Sequence, residues 1–278
     1  MKIIECPRDA MQGLDTFVSS DLKIKYINKL LRVGFDTIDF GSFVSAKAIP
    51  QLKDTAIVLD SLDLDNTMTK LLSIVANYKG AEKACSYNKI SFVGYPLSIS
   101  NVFQKRNTNK SIEESFSLVS EMQNLVEKSN KRLVVYLSMA YGNPYGELYD
   151  PDMILSFVYR LNNLDIKVIS LADTIGTATP ELIENSFTSL NKEFDGIEFG
   201  AHFHSRPNKW QENITSALNS GCKRFDSAIK GYGGCPMAKD ELVGNIPTEK
   251  IIPLFKSHIN IDNKELNDAI LIADSIFS

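Results

Sequence analysis

Short β-rich runs alternate with helical patterns along nearly the whole chain, and this alternation constrains the fold more than any other feature. Such a pattern is typical of a parallel sheet with crossover helices. The eight runs are Lys2–Cys6, Asp36–Phe40, Lys70–Ala76, Lys89–Gly94, Arg132–Met139, Lys167–Leu171, Ile197–His204 and Arg224–Ile229. Their mean spacing of roughly thirty residues is that of a (β/α)8 repeat. The pattern therefore predicts an α/β protein with a (β/α)8 TIM barrel.

The chain length fits either two domains or one large barrel. At about 150 residues per domain, 278 residues would give roughly two. The eight units favour one barrel, so we expect a single catalytic domain over residues 1–278. Residues from about 247 then form a closing helix and one extra C-terminal helix, which packs on the barrel or on a partner chain in a homodimer. Ser20 and Ser111 are the predicted N-caps of two crossover helices.

Charge and apolar patterning exclude several function classes. Thirty Lys plus Arg against thirty-four Asp plus Glu leave a net charge of −4, which gives no electrostatic basis for binding nucleic acid. No stretch approaches the roughly 18 apolar residues of a membrane span, and the N-terminus reaches charge and proline too early for a signal peptide. We therefore expect a cytoplasmic protein without a membrane partner. Its four cysteines are widely spaced and are expected to be free thiols.

Polar residues gather where the predicted strands end. Active sites of such barrels lie at the carboxyl ends of the strands, so these residues are the candidates for chemistry. They are Arg8 and Asp9 after the first strand, Asp39 near the end of the second, Asp173 after the sixth, His202 and His204 within the seventh, and Lys230 with the GYGGCP loop after the eighth.

The two histidines of GAHFHS are the strongest local signal. His202 and His204 lie two residues apart on a predicted strand, so both imidazoles point to the same face. With the carboxylate of Asp9 they offer two nitrogens and one oxygen to a metal ion and leave positions open for water or substrate. The alternative is a pair of hydrogen-bonded core histidines.

Seven segments together resemble the 3-hydroxy-3-methylglutaryl-CoA (HMG-CoA) lyases, a metal-dependent group built on the TIM barrel. In chain order they are ECPRDAMQG, DFGSFVSAKAIPQL, RNTNKSIEESF, GNPYGE, SLADTIGTATPE, AHFH and IKGYGGCPMAKDELVGNIPTE. The resemblance implies cleavage of HMG-CoA, an acyl-CoA substrate, to acetyl-CoA and acetoacetate with Mg²⁺ or Mn²⁺ as cofactor.

The resemblance also implies roles for individual residues. The metal would be held by Asp9, His202, His204 and Asn245. Arg8 would face the thioester and stabilise the developing enolate oxygen, and Cys235 would deliver a proton to the enolate carbon. The implied catalytic set is Arg8, Asp9, Asp173, His202 and Cys235.

The predicted substrate-binding residues include positions that match these lyases and positions that differ from them. Asp39 stands where these lyases have glutamate. Because the aspartate side chain is shorter, two arrangements are possible: Asp39 contacts Arg8 or substrate directly, or a water bridges the gap. Ser205 replaces the aspartate of the usual HxHD segment and, with Trp210, predicts altered acyl specificity. Lys105 and Arg106 would approach the CoA phosphates or lie in a solvated loop. The predicted substrate-binding residues are Arg8, Asp39, Ser42, Ser205, Lys105 and Arg106.

Two other interpretations stay open at this point. One is a related barrel that condenses or cleaves another hydroxyacyl-CoA or hydroxy acid, such as an isopropylmalate-type or citramalate-type synthase or an aldolase. The GGCP loop around Cys235 argues against condensation. The other is a non-catalytic barrel that binds an acyl-CoA, which the presence of Arg8, Asp9 and both histidines argues against.

Overall fold

The computed structural model describes residues 1–206, 209–234 and 243–277. Its parallel barrel strands are β1 (Lys2–Glu5), β2 (Thr37–Ser42), β3 (Lys70–Ile74), β4 (Ile90–Ser98), β5 (Arg132–Ser138), β6 (Val168–Asp173), β7 (Glu198–Ser205) and β8 (Arg224–Ser227). Strand β1 pairs with both β2 and β8, and β6 pairs with β7, so the sheet closes on itself. The predicted (β/α)8 barrel is confirmed. Strand β4 runs past Gly94 to Ser98 and carries Pro96 into the barrel mouth.

Helices surround this barrel. They are α1 (Pro7–Gln12), α2 (Ser20–Leu30), α3 (Thr55–Asp60), α4 (Tyr78–Cys85), α5 (Asn101–Thr108), α6 (Ile112–Lys128), α7 (Asp152–Asn163), α8 (Pro180–Glu193), α9 (Trp210–Asn219), α10 (Thr248–Ile251) and α11 (Asn263–Phe277). The predicted extra helix is α11, and it packs on α2 of the same barrel through a Tyr26–Phe277 ring contact and ion pairs from Lys29. A ninth strand, β9 (Gly244–Asn245), runs antiparallel to β7.

Strand alternation divides the core into two layers. In β5, Leu133, Val135 and Leu137 pack in the large layer beneath the helices, whereas Val134 and Tyr136 pack in a smaller cluster inside the barrel. Successive side chains of a strand point to opposite faces, so a two-residue period decides which residues face the interior. The same period selects the functional side chains described below.

Helix caps follow the predicted signals with one shift. Ser111 forms a capping box with Glu114, as the sequence predicts for α6. The cap of α2 is Ser19 instead of Ser20, because the Ser19 hydroxyl accepts from the Leu22 amide while the Ser20 hydroxyl donates to Asp54.

Within the described ranges, no helix has both the length and the apolar character needed to cross a membrane. Three cysteines lie in those ranges, and all are free thiols. Cys6 and Cys222 are buried, and Cys85 is partly exposed.

Candidate active site

Strand β7 brings both histidines into the barrel. Phe199, Ala201 and Phe203 pack outward against the helices, so His202 and His204 point inward at the carboxyl end of the strand. Their ring centroids lie 5.2 Å apart. The same-face arrangement predicted from the HxH spacing is therefore present.

Asp9 approaches the histidines from the first strand. Cys6 separates β1 from Pro7, which begins α1, and Asp9 lies in the first turn of this helix. Its Oδ2 is 3.7 Å from Nε2 of His204. Ligand atoms of Asp9, His202 and His204 all lie within 4.8 Å of one another, which is close enough for one ion to contact all three.

Asn245 reaches the same place through β9. It pairs with His204 across the β7–β9 ladder, and its Nδ2 donates to Oδ2 of Asp9 at 2.8 Å and to the carbonyl of Tyr232 at 2.9 Å. With its amide hydrogens directed at these two acceptors, the Oδ1 atom is the one able to face a cation.

Outer hydrogen bonds fix the direction of both imidazoles. Nδ1 of His202 lies 3.0 Å from Oδ2 of Asp226 on β8, and Nδ1 of His204 lies 3.1 Å from the carbonyl oxygen of Thr174. Both Nε2 atoms are thereby left for the interior, which is the arrangement that supports metal-ligating histidines.

This residue set fits a divalent cation. His204 Nε2 is buried and has no hydrogen-bond partner among the described atoms. Burial alone would raise the pKa of the Asp9 carboxyl, but Arg8 and the two histidines outweigh it and hold that pKa well below its ordinary value. An unpartnered imidazole nitrogen beside an ionised carboxylate is what a nitrogen- and oxygen-coordinated cation requires.

Arg8 lies between two carboxylates. Its Nε and Nη2 donate to Oδ2 of Asp39 at 2.9 and 2.5 Å, and its Nη1 donates to Oδ1 of Asp9 at 2.8 Å and to Gln12 at 2.9 Å. The aspartate is long enough for direct contact, so the bridging water considered for this pair is wrong. Burial raises the pKa of Asp39 to about 6 despite the Arg8 charge.

A pocket opens above this cluster at the barrel mouth. Its lining has a polar part, which we call the floor, and an apolar part, which we call the wall. The floor is formed by Arg8, Asp9, Gln12, Tyr136, Ser138, Thr174, His202 and His204. The wall is formed by Val44, Ala48, Ile49, Ile74, Ala76, Pro96 and Phe103, and Asn107 and Ala172 complete the lining.

Three predicted site residues organise loops beside the pocket. The two carboxyl oxygens of Asp173 accept from the amides of Thr177 and Ala178, both at 3.0 Å, and burial raises its pKa to about 6. The hydroxyl of Ser42 donates to the Ile74 carbonyl, and that of Ser205 donates to the carbonyl of the next residue. None of the three belongs to the described pocket lining. Asp173 instead fixes the loop whose Thr174 carbonyl orients His204.

The remaining predicted residues lie farther from the floor. Lys105 and Arg106 are exposed on α5, the helix that also supplies Phe103 and Asn107 to the pocket. Arg106 lies over the Tyr145 ring at 4.7 Å. Trp210 begins α9 and packs against the helix-side core. Cys235 lies outside the described residues.

Sequence reasoning missed Asp226 and Gln12. Asp226 lies within β8, two residues after Arg224, and alternates with the outward Phe225. The signal for Asp226 is a carboxylate at an inward position within a predicted strand, whereas the candidate residues were those that follow the strand. Gln12 follows Asp9 by three residues on α1, and its Nε2 donates to Oδ1 of Asp9 at 2.8 Å.

Comparisons with known proteins agree with this arrangement. The family model described as HMGL-like matches residues 2–270. A hydroxymethylglutaryl-CoA lyase of Bacillus subtilis is 32% identical over 250 residues, covering 90% of this chain and 83% of the relative. The human mitochondrial hydroxymethylglutaryl-CoA lyase is 30% identical over 273 residues, covering 97% and 83%.

Solved structures give the same result. The structure of an HMG-CoA lyase from Acinetobacter baumannii in complex with coenzyme A and 3-methylmalate superposes with a TM-score of 0.91 at 28% identity, covering 99% of this chain and 90% of that chain. The B. subtilis HMG-CoA lyase structure also gives 0.91, at 30% identity, covering 99% and 93%. The resemblance found in the sequence is confirmed, and the chain belongs to the HMGL-like family.

Proposed function

We propose that this chain cleaves HMG-CoA to acetyl-CoA and acetoacetate, with Mg²⁺ or Mn²⁺ held by Asp9, His202, His204 and Asn245. The observation that carries the proposal is the buried, unpartnered Nε2 of His204 beside the ionised Asp9, with Arg8 on the same pocket floor. The relatives named HMG-CoA lyases support the substrate class, as does the lyase structure that contains coenzyme A.

The reaction needs charge stabilisation at two places. The tertiary hydroxyl gives its proton to solvent water in the pocket, the carbon–carbon bond breaks to form the ketone of acetoacetate, and the electron pair of that bond passes to the thioester fragment as an enolate, whose carbon then takes up one proton to give acetyl-CoA. A divalent cation held by Asp9, His202, His204 and Asn245 would supply Lewis-acid stabilisation of the negative charge that develops on substrate oxygen. His202 would hold the cation through Nε2, so this nitrogen could not also accept a proton from substrate. Asp226 fixes the direction of the His202 ring through Nδ1.

Arg8 stabilises the enolate oxygen. Its guanidinium lines the pocket and is held by Asp39 and Asp9, so it does not have to reorganise when negative charge develops. Burial alone would lower the pKa of Arg8, but the two carboxylates outweigh it and keep the guanidinium charged. An arginine in this position serves better than a lysine because its planar donors are fixed in direction.

Cys235 is the proposed proton donor to the enolate carbon. Described residues on both sides of Cys235 lie beside the proposed cation site. Gly233 lies against the backbone of Asp9, and Val243 directly precedes β9. A thiol delivered from this place should affect turnover without affecting cation binding. We expect Cys235→Ala to lose on the order of 10²–10⁴-fold in kcat.

An assay of acetoacetate release tests the proposal. HMG-CoA is incubated with the metal-free protein, with Mg²⁺ or Mn²⁺, and with EDTA. Cation-dependent release of acetoacetate and acetyl-CoA in equal amounts is expected, and no release in any condition contradicts the function.

A panel of related hydroxyacyl-CoA thioesters, assayed with wild type and Ser205→Asp, tests altered acyl specificity. A clear wild-type preference for HMG-CoA contradicts that altered specificity and leaves the lyase proposal intact.

A further inference from the structure

Helix α11 contacts the segment that leads from β8 toward Cys235. We call residues Lys230–Gly234 the stem. The Lys230 ammonium forms an ion pair with Asp274 of α11. The Tyr232 ring stacks on Phe277 of α11, with ring centroids 4.5 Å apart and 24° between the planes. Both contacts tie the stem to an element outside the barrel.

The other side of the stem touches the proposed cation site. The Tyr232 carbonyl accepts from Nδ2 of Asn245 at 2.9 Å, and the same nitrogen donates to Oδ2 of Asp9 at 2.8 Å. Gly233 has a φ of +89°, and a Cβ there would lie 2.7 Å from the backbone oxygen of Asp9. The stem is therefore packed directly against two of the proposed ligands.

The stem needs such external support because of its composition. Gly231, Gly233 and Gly234 all have positive φ, and Lys230 has a φ of 56°. Glycines leave the backbone many alternative conformations, so the contact of the Tyr232 side chain restricts the stem together with the backbone hydrogen bonds from Gly231 and Tyr232 to Ala228 and Ile229. The Tyr232 ring stacks on the ring of Phe277.

We propose that Tyr232 and Phe277 are positioning residues of the cation site. Helix α11 fixes the Tyr232 ring, the Tyr232 carbonyl fixes the Asn245 amide, and the amide oxygen is thereby directed to the cation. The inference rests on the proposed site at Asp9, His202, His204 and Asn245. A rotated amide would bring its oxygen against the Tyr232 carbonyl and the Asp9 carboxylate, where like partial charges repel.

A matched control exists on the same helix. Near its first turn, α11 is tied to α2 by ion pairs of Lys29 with Glu265 and Asp268, at 2.8 and 3.3 Å. These contacts lie at the opposite end of α11 from Phe277. Glu265→Gln with Asp268→Asn therefore loosens the helix on the barrel without touching the stem.

Mn²⁺ binding, followed by electron paramagnetic resonance, tests the inference independently of turnover. Phe277→Ala should weaken Mn²⁺ binding on the order of tenfold, the lower end of the range for residues that orient metal ligands. Phe277→Tyr and Tyr232→Phe keep the stacked pair and should bind Mn²⁺ as the wild type does. The Glu265→Gln/Asp268→Asn protein should do the same. Urea unfolding of each variant separates these effects from loss of stability.

A second variant keeps the test informative if Phe277→Ala fails to fold. Lys230→Met removes only the exposed ion pair to Asp274 and should weaken Mn²⁺ binding by about two- to threefold. Wild-type affinity in both Phe277→Ala and Lys230→Met overturns the inference. An equal loss in the Glu265→Gln/Asp268→Asn control also overturns it, because general loosening would then explain the effect.

The failure of the cation site itself is recognisable. If the wild type binds no Mn²⁺, or if Asn245→Ala binds it unchanged, the proposed ligand set is wrong and the inference falls with it. If the wild type binds Mn²⁺, Asn245→Ala does not, and the α11 variants match the wild type, only the inference is wrong.

Discussion

The two sides of the barrel mouth differ in how their residues are held. On the side of β7, β8 and β1, three charge-bearing or metal-facing side chains are held by a partner from another strand or loop: His202 by Asp226, His204 by Thr174, and Arg8 by Asp39. The side formed by the ends of β2 to β4 and by α5 presents apolar side chains, among them Val44, Ile49, Ile74 and Phe103.

The difference indicates that the polar side stabilises charge during the reaction and that the apolar side binds substrate. Groups that stabilise charge must be fixed before the reaction, and a network of buried hydrogen bonds fixes them. An apolar wall has no direction-dependent bonds and selects substrate by shape and burial. Changes on the polar side should therefore affect turnover, and changes on the apolar side should affect affinity.

The largest effect is expected from Asp9→Asn. The change keeps the shape of the side chain and removes the negative charge that faces Arg8 and both histidines. We expect Mn²⁺ binding to be lost and kcat to fall on the order of 10³-fold or more, because several kcal/mol of charge stabilisation disappear. Calorimetric Mn²⁺ titration and acetoacetate assays measure both. Gln12→Ala, which removes hydrogen bonds to Asp9 and Arg8 but no charge, is the control and should retain the cation.

Arg8→Gln should separate charge stabilisation from cation binding on the same side. The variant loses the guanidinium facing the pocket, and we expect kcat to fall by roughly 10²–10³-fold. Mn²⁺ affinity should stay within about threefold of wild type, since Arg8 is not a ligand. Near-normal turnover contradicts the enolate-stabilising role. A protein that does not fold shows instead that the ion pairs of Arg8 are structural.

Ile49→Ala tests the apolar side. Removing three carbon atoms from the wall should raise KM by about 10- to 50-fold, as expected at about 0.8 kcal/mol per buried methylene, and should leave kcat nearly unchanged. Met68→Ala is the matched control, because Met68 is exposed and does not line the pocket. A fall in kcat with unchanged KM would contradict the division between the two sides.

The smallest effect at neutral pH is expected from Glu5→Gln, beneath the polar side. Burial raises the pKa of Glu5 to about 8, although hydrogen bonds from Thr248 and the Ile229 amide oppose this. The folded protein thus holds a proton that the unfolded chain releases. Wild-type unfolding free energy should fall between about pH 4.5 and 8, by up to about 1.4 kcal/mol per pH unit.

Replacing the acid by its neutral amide should remove this slope and keep an acceptor for the Ile229 amide. Urea unfolding of wild type and Glu5→Gln from pH 5.5 to 9 measures it. Parallel stability curves for the two proteins would show that Glu5 is not the group responsible. A slope that disappears would locate this pH dependence beneath the polar side of the mouth.

Local signals in the sequence determined the barrel and part of the site. Apolar runs of four to eight residues determine strands wherever both faces are buried, so each of the eight predicted runs overlaps one barrel strand. A two-residue period is enough to put His202 and His204 on one face. Arg8 and Asp9 lie within four residues of the end of β1, so their place at the mouth follows from chain order.

Tertiary structure decided which groups complete the site. The bonds Asp226–His202, Arg8–Asp39 and Asn245–Asp9 join residues 24, 31 and 236 positions apart. Such contacts depend on closure of the barrel and on a two-residue strand pairing with β7, for which no local periodicity exists. Of the predicted residues outside the pocket lining, Ser42 bonds to the distant Ile74 carbonyl on β3, whereas Asp173 and Ser205 bond to backbone groups within five residues of themselves. Sequence gives the position of a side chain along the chain, but the partner that satisfies it depends on long-range packing.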